Sequence, residues 1–141
     1  MRHGDGLAAL RDCDPRSLGG VALIQVIEHL TSQQSVDLVA LAADRVRRGG
    51  KVVVETVNPQ SLYVYAHSFY LDPTHVRPVH PAWLHFLFEQ AGFAEVEIDW
   101  RSPPPDDDAL QRVGDEAHDA NVERLNRLLF AAQDYAVIAT R

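Results

Sequence analysis

The chain has a single cysteine, Cys13, among its 141 residues. That excludes a disulfide framework within one chain and any zinc site built on cysteine thiolates. It also fits a reducing compartment. No apolar run comes near the about 20 residues that a membrane-spanning helix needs. The opening MRHGDG lacks the apolar stretch of a secretion signal, so the expected location is cytoplasmic. Positive charge is scarce too: 13 Lys and Arg stand against 20 Asp and Glu, a formal net charge of -7. A general nucleic-acid binder needs a basic face to neutralise phosphates, so no nucleic-acid partner is expected. A small anionic substrate held by one or two arginines is still compatible with this balance. A glycine-rich turn of the kind that cradles phosphates or nucleosides is also missing ahead of the first recognisable strand.

Hydrophobic residues make up 46% of the chain and charged residues 23%, the balance of a globular protein of one ordinary domain, 1–141. Gly4-Asp5-Gly6 is turn-like, Leu7 to Arg11 suits one or two helical turns, and Asp12 to Gly20 reads as a loop. Val21 to Ile27 is apolar except for Gln25, a short run that suits a strand covered on both faces of a parallel sheet. Thr31 or Ser32 can cap the helix that follows. Val36, Val39, Ala40, Ala43 and Val46 recur at helical spacing and predict its buried face. Arg45, Arg47 and Arg48 complement the helix dipole, and Gly49 is the expected left-handed cap.

Lys51 to Val57 predicts a second buried strand, so the unit is strand–helix–strand with a parallel crossover. Ser61 to Tyr70 predicts a helix. Pro73, Pro78 and Pro81 forbid regular helix through 71–81, and Pro81 then opens the next helix behind His80. Leu84, Leu87, Phe88 and Ala91 predict the buried face of that helix and Gly92 its end. Ala94 to Trp100 alternates as a strand, 109–130 reads as helix in two pieces around Gly114, and Asp134 to Thr140 is a last, antiparallel edge strand. The run Asp106-Asp107-Asp108 reads as a solvated loop.

Chemistry concentrates where the two parallel strands stop. Glu28 and His29 end the first and Asn58-Pro59 ends the second. Open α/β sheets bind ligands at that rim. Asp72, His75, Arg77 and His80 share one proline-stiffened loop. The planar fork of Arg77 suits a phosphate. A metal set of Asp72, His75, His80 and His85 matches no standard zinc spacing, so no metal is expected. The plainer reading of these residues is helix capping and hydrogen bonding within an ordered loop. Tyr63, Tyr65, Phe69 and Tyr70 can wall a pocket, although aromatics at such spacing more often belong to a core.

Four segments, GDGLAAL at 4–10, VALIQVIEHL at 21–30, DRVRRGGKVVVETVNP at 44–59 and LHFLFEQAGFAEVEI at 84–98, carry a resemblance. The chain resembles the C-terminal two-thirds of a class I S-adenosylmethionine-dependent methyltransferase. FYLDPTHVRPVHP at 69–81 and LNRLLFAAQDYAVIATR at 125–141 resemble a bacterial branch that methylates sugars or sugar phosphates of surface polysaccharide, including O-antigen chain-terminating enzymes. The resemblance implies an α/β, partial Rossmann-like fold with S-adenosylmethionine as cofactor. Asp5 would accept from the adenine amino group, with Gly6 and Leu7 beside it, while Gln25, Val26 and Glu28 would line the methionine part.

The family's glycine turn and its ribose-holding acidic residue have no counterpart here, which predicts a truncated or partial enzyme. Transfer to a hydroxyl needs a base, and a histidine's ordinary pKa of roughly 6.5 suits that task. His29 is the first candidate and His75 the second, with Asp72, Arg77, His80 and Asn58 toward a small-molecule or saccharide acceptor. The competing expectation is a non-catalytic interaction module. Its unfilled sheet edge would pair with a second copy, as a homodimer, or with a chain supplying the missing strands.

Overall fold

The structure is a computed structural model that describes residues 4–105 and 108–141. Asp106 and Asp107, of the run expected to be a solvated loop, lie outside the described residues. The chain order is α1 (Gly6–Arg11), β1 (Leu18–Ile24), α2 (Ser32–Arg45), β2 (Val46–Val57), α3 (Leu62–His67), α4 (Pro81–Gln90), β3 (Glu95–Arg101), α5 (Glu116–Leu129) and β4 (Asp134–Thr140). Short 3-10 turns cover Ile27–His29 and Phe69–Leu71. The four strands form one sheet in the order β1-β2-β4-β3. β1 and β2 are parallel, while β4 runs antiparallel to both β2 and β3. The fold is thus the expected α/β arrangement with an antiparallel C-terminal side. β4 lies inside that side and β3 is its outermost strand.

The first strand starts and stops earlier than its apolar run suggests. Leu18 to Gly20, read as loop from composition, belong to β1 because glycine allows the backbones to close up. A Cβ on Gly20 would sit 2.9 Å from the Lys51 carbonyl oxygen, and one on Gly50 would sit 2.7 Å from the Gly19 carbonyl oxygen. β1 is also not covered on both faces: it is an outer strand, and Ile24 is half exposed.

Thr31 caps α2 in a full capping box, its hydroxyl accepting from the Gln34 amide while the Gln34 side chain accepts from the Thr31 amide. The buried face of α2 is Ser35, Leu38, Val39, Ala42 and Ala43. Val39 and Ala43 were expected there, but Val36 and Ala40 point to solvent. The helix is rotated toward Leu38, whose larger side chain gains more from burial than an alanine would. Gly49 does not cap α2. The chain turns directly from Arg45 into a long β2, and Gly49 keeps its left-handed φ of 73° inside that strand.

α2 and α4 pack on one face of the sheet. The core joins Val39, Ala42 and Val46 to Val52 and Val54 of β2, Val137 and Ala139 of β4, and Leu84 and Phe88 of α4. His80 caps α4, with Pro81 in its first turn, and Gly92 follows at φ 83°. The predicted helix at 61–70 breaks at Ser68, which separates α3 from the turn at Phe69. The last helix begins only at Glu116, capped by Asp115, so 109–114 are not helical. The Asp115 carboxyl is held below its usual range by the backbone and side-chain donors of His118.

Candidate functional site

The site forms where β1 stops. Gln25 takes a left-handed φ of 53°, which ends the strand, and its side-chain amide donates to Asp134 at 3.1 Å. Strained backbone of this kind clusters at functional sites. The 3-10 turn that follows buries Ile27 and Glu28 completely and brings His29 to the rim with its side chain 30% exposed. The backbone carbonyl of Glu28 accepts from the amides of Val76 (2.9 Å) and Arg77 (3.3 Å). Those two bonds pin the proline-rich loop against the tip of β1. Residues far apart in the chain therefore meet: Glu28, His29, Asp72, His75 and Arg77.

Glu28 carries the site's main electrostatic fact. Its Oε2 accepts from the Thr56 hydroxyl at 2.7 Å, but its Oε1 is buried with no hydrogen-bond partner. That free oxygen is 3.9 Å from His29 Nε2. At the other side of the imidazole, His29 Nδ1 faces the Thr74 carbonyl oxygen at 3.2 Å and the Thr74 hydroxyl at 2.9 Å. The Thr74 hydroxyl already donates to Asp72 at 2.6 Å. Both Thr74 oxygens can then only accept, so Nδ1 carries the proton and Nε2 presents a lone pair. His75 repeats the pattern, with its Nδ1 2.7 Å from the Phe69 carbonyl oxygen. Its ring lies 4.8 Å from that of His29, centroid to centroid.

Asp72 serves as the anchor of this arrangement. The Thr74 hydroxyl and then the Thr74 amide, both donating to it, hold its carboxyl below the usual carboxylate range. Tyr135 lies beneath the site. It is fully buried, and its hydroxyl donates to the Val79 carbonyl oxygen at 2.9 Å. Burial first, and then the nearby Glu28, push its phenol pKa far up, so it stays neutral. Arg77 stacks over Trp83, 4.2 Å from the ring centroid, and its Nε and Nη2 are buried without hydrogen-bond partners.

Other predicted residues sit outside this cluster. Asn58 is buried at the end of β2, donating to the Ala132 carbonyl oxygen at 2.8 Å and accepting from the Gln60 amide at 3.0 Å. It lines an open groove of about 750 Å³ with Gln60, Trp100 and Phe130. His80 caps α4 through Nδ1, and its Nε2 lies 3.3 Å from the Gln60 side-chain nitrogen. His85 turns to the Val96 carbonyl oxygen and to Glu89. The side chains that converge are thus Glu28, His29 and His75, not the set of Asp72, His75, His80 and His85 weighed from spacing.

Asp5 accepts from the Ala8 amide at 2.7 Å and caps α1, which holds Gly6 and Leu7. No hydrogen bond links these three to the cluster. Val26 is half-buried in the turn. Of Tyr63, Tyr65, Phe69 and Tyr70, Phe69 alone is buried; Tyr65 and Tyr70 are exposed, and the Phe69 ring lies tilted against His75 at 4.6 Å. Sequence reasoning missed Thr56, Thr74, Trp83 and Tyr135. Thr74 had one available signal, its position between a proline and His75 in a loop that needs local donors.

The same arrangement of strands recurs in solved structures. An S-adenosylmethionine-dependent methyltransferase from Archaeoglobus fulgidus superposes with a TM-score of 0.94 at 32% identity, over 99% of this chain and 66% of that one. The chain carries part of a Rossmann-like methyltransferase fold. More distant structures share it at the level of fold alone. A phosphoethanolamine N-methyltransferase from Haemonchus contortus, in complex with S-adenosyl-L-methionine, matches at TM-score 0.59 and 14% identity, over 92% of this chain and 34% of that one. A methyltransferase from Thermotoga maritima, a possible histamine N-methyltransferase, matches at TM-score 0.62 and 14% identity, over 92% of this chain and 58% of that one. The chain therefore spans about two-thirds or less of the length of these methyltransferases. No protein-family model matches the chain, and no curated protein does. Among the described residues, no helix is long and apolar enough to cross a membrane.

Proposed function

We propose that this chain takes part in S-adenosylmethionine-dependent methyl transfer to a hydroxyl of a sugar, a sugar phosphate or another small molecule. The observation that carries this reading is the orientation of His29. Its Nδ1 proton is anchored by Thr74 and, through it, by Asp72, which leaves Nε2 to receive the acceptor's proton at the C-terminal rim of two parallel strands. The rim suits a cationic cofactor. Beside the free nitrogens of Arg77 it carries acceptors, the unpartnered Glu28 Oε1 and the lone pairs of His29 and His75, which suit the positive charge of a sulfonium and an ammonium.

When bound, S-adenosylmethionine supplies an electrophilic methyl carbon on a sulfur that leaves as a neutral thioether. Gln25, Val26 and Glu28 hold its methionine end and Asp5, Gly6 and Leu7 its adenine side. His29 takes the proton from the acceptor oxygen, and His75 is the second candidate for that task. Arg77, with two buried guanidinium nitrogens free, meets an anionic group of the acceptor, and Asp72, His80 and Asn58 bound the acceptor side. Calorimetric titration with S-adenosylhomocysteine tests the reading. The expected result is saturable binding near one per chain. A folded chain that gives no heat, both alone and joined to a glycine-rich strand–turn segment of the kind the family carries, rules the reading out.

One observation favours a second reading. Among the described residues no strand pairs with the outer edge of β1, and the half-exposed Ile24 lies on that strand. Such an edge is a template for pairing, so the chain would act as an interaction module with a second copy or with a chain supplying further strands. Size-exclusion chromatography with light scattering should then show a dimer or a complex. A stable monomer at high concentration counts against it.

A further inference from the structure

We propose that Glu28, His29 and His75 form a binding site for one divalent transition-metal ion of the Zn²⁺ class. One ligand atom from each of these side chains lies within 4.8 Å of the others. Around an ion with bonds of about 2.0–2.2 Å, such atoms stand about 3–4 Å apart, so closure needs only about 1 Å of side-chain movement. His29 sits on a 3-10 turn and His75 on a loop, both at the rim.

Three features single this cluster out. Each imidazole gives its Nδ1 proton to a backbone carbonyl, His29 to Thr74 and His75 to Phe69, which is the outer-shell arrangement that orients metal-ligating histidines. That tautomer leaves both Nε2 atoms as electron-pair donors. The third ligand is the Glu28 carboxyl, fully buried, with Oε1 unpartnered and 3.9 Å from His29 Nε2. At 3.9 Å no hydrogen bond joins them, and a neutral His29 has no proton on Nε2 to offer. Two electron-pair donors thus face each other across a gap of 3.9 Å without a shared proton. A cation in that gap satisfies all three. Two imidazoles and one carboxylate form a donor set that suits Zn²⁺ and leaves coordination positions open for water or an acceptor oxygen.

The ion would occupy the same His29 electron pair that proton removal uses, so the ion-bound chain and the chain with His29 as base exclude each other. The test is therefore a binding measurement that needs no cofactor. The full chain, stripped with chelator, is titrated with Co²⁺ and then with Zn²⁺. The expected result is one Co²⁺ per chain, with the visible absorption of a low-coordinate nitrogen–oxygen site, displaced by one Zn²⁺. His29→Gln and His75→Gln, both at partly exposed positions, should each weaken Zn²⁺ binding by at least about tenfold, with unchanged far-ultraviolet circular dichroism. Glu28→Gln, which still accepts from Thr56, should do the same. His118→Gln, on exposed α5, should not. A folded wild-type chain that binds no ion overturns the proposal, as does equal binding by both histidine variants; a water molecule alone would then fill the gap. A chain that binds S-adenosylhomocysteine and no ion removes the metal site and leaves the methyltransferase reading standing.

Discussion

Replacing His29 with alanine is expected to lower the rate of methyl transfer by a factor of about 10²–10⁴, the usual worth of a positioned general base. Affinity for S-adenosylhomocysteine should change little. The side chain is 30% exposed, and its hydrogen bonds go to Thr74 of the rim loop, so the fold should survive. Its chemistry rests on position: Thr74 holds Nδ1, and Nε2 points toward the gap beside Glu28. His29→Gln should not rescue the rate, because an amide nitrogen is not basic. The measurement is a single-turnover assay with labelled methyl donor and a panel of sugars and sugar phosphates. If the rate survives His29→Ala and falls with His75→Ala, the base is His75. If both variants keep the rate, proton removal does not run through this cluster.

The largest effect on stability is expected at Phe88. It is fully buried, meets Phe93 edge to face at 5.0 Å, and ties α4 to the sheet. Phe88→Ala removes most of that side chain from a packed interior and should cost about 3–5 kcal/mol, a large part of the roughly 5–15 kcal/mol that holds a domain together. The consequence reaches the site. His80 caps α4, and the loop before it carries Asp72, His75 and Arg77. Loosening the helix frees the end of that loop, so a variant that still folds should lose ligand affinity as well. Phe86→Ala, on the same helix but half exposed, is the control and should shift stability by less than about 0.5 kcal/mol. Urea denaturation read by circular dichroism compares the two. Equal midpoints would mean that α4 does not hold the fold as its burial indicates.

Much of the fold was legible because local chemistry writes it. Thr31, Ser61, His80-Pro81 and Gly92 mark helix ends through hydrogen bonds or backbone dihedrals that span at most four residues. Consecutive apolar residues at 52–54 mark a strand for similar reasons. The errors arose where the deciding contact was distant. Gly19 and Gly20 look like loop residues until β2 lies against them, and Gly49 looks like a helix cap until the chain enters β2 directly. The face of α2 depended on which side chain the sheet could take in: periodicity pointed to Val36, and the sheet took in Leu38.

The sequence by itself determined the strand–helix–strand unit, its parallel sense, and the presence of acid, imidazole and guanidinium groups near the strand ends. Only the tertiary structure decided which of them meet. Glu28 reaches Thr56 across 28 residues and His29 reaches Thr74 across 45, because β1 and β2 pair in one particular register and the Glu28 carbonyl captures the loop at Val76 and Arg77. The reason is one of range. Helix caps and turns are settled by bonds between near neighbours. The free Glu28 oxygen and the oriented His29 imidazole exist only once chain closure has set the Thr56 hydroxyl and the Thr74 carbonyl against their other sides.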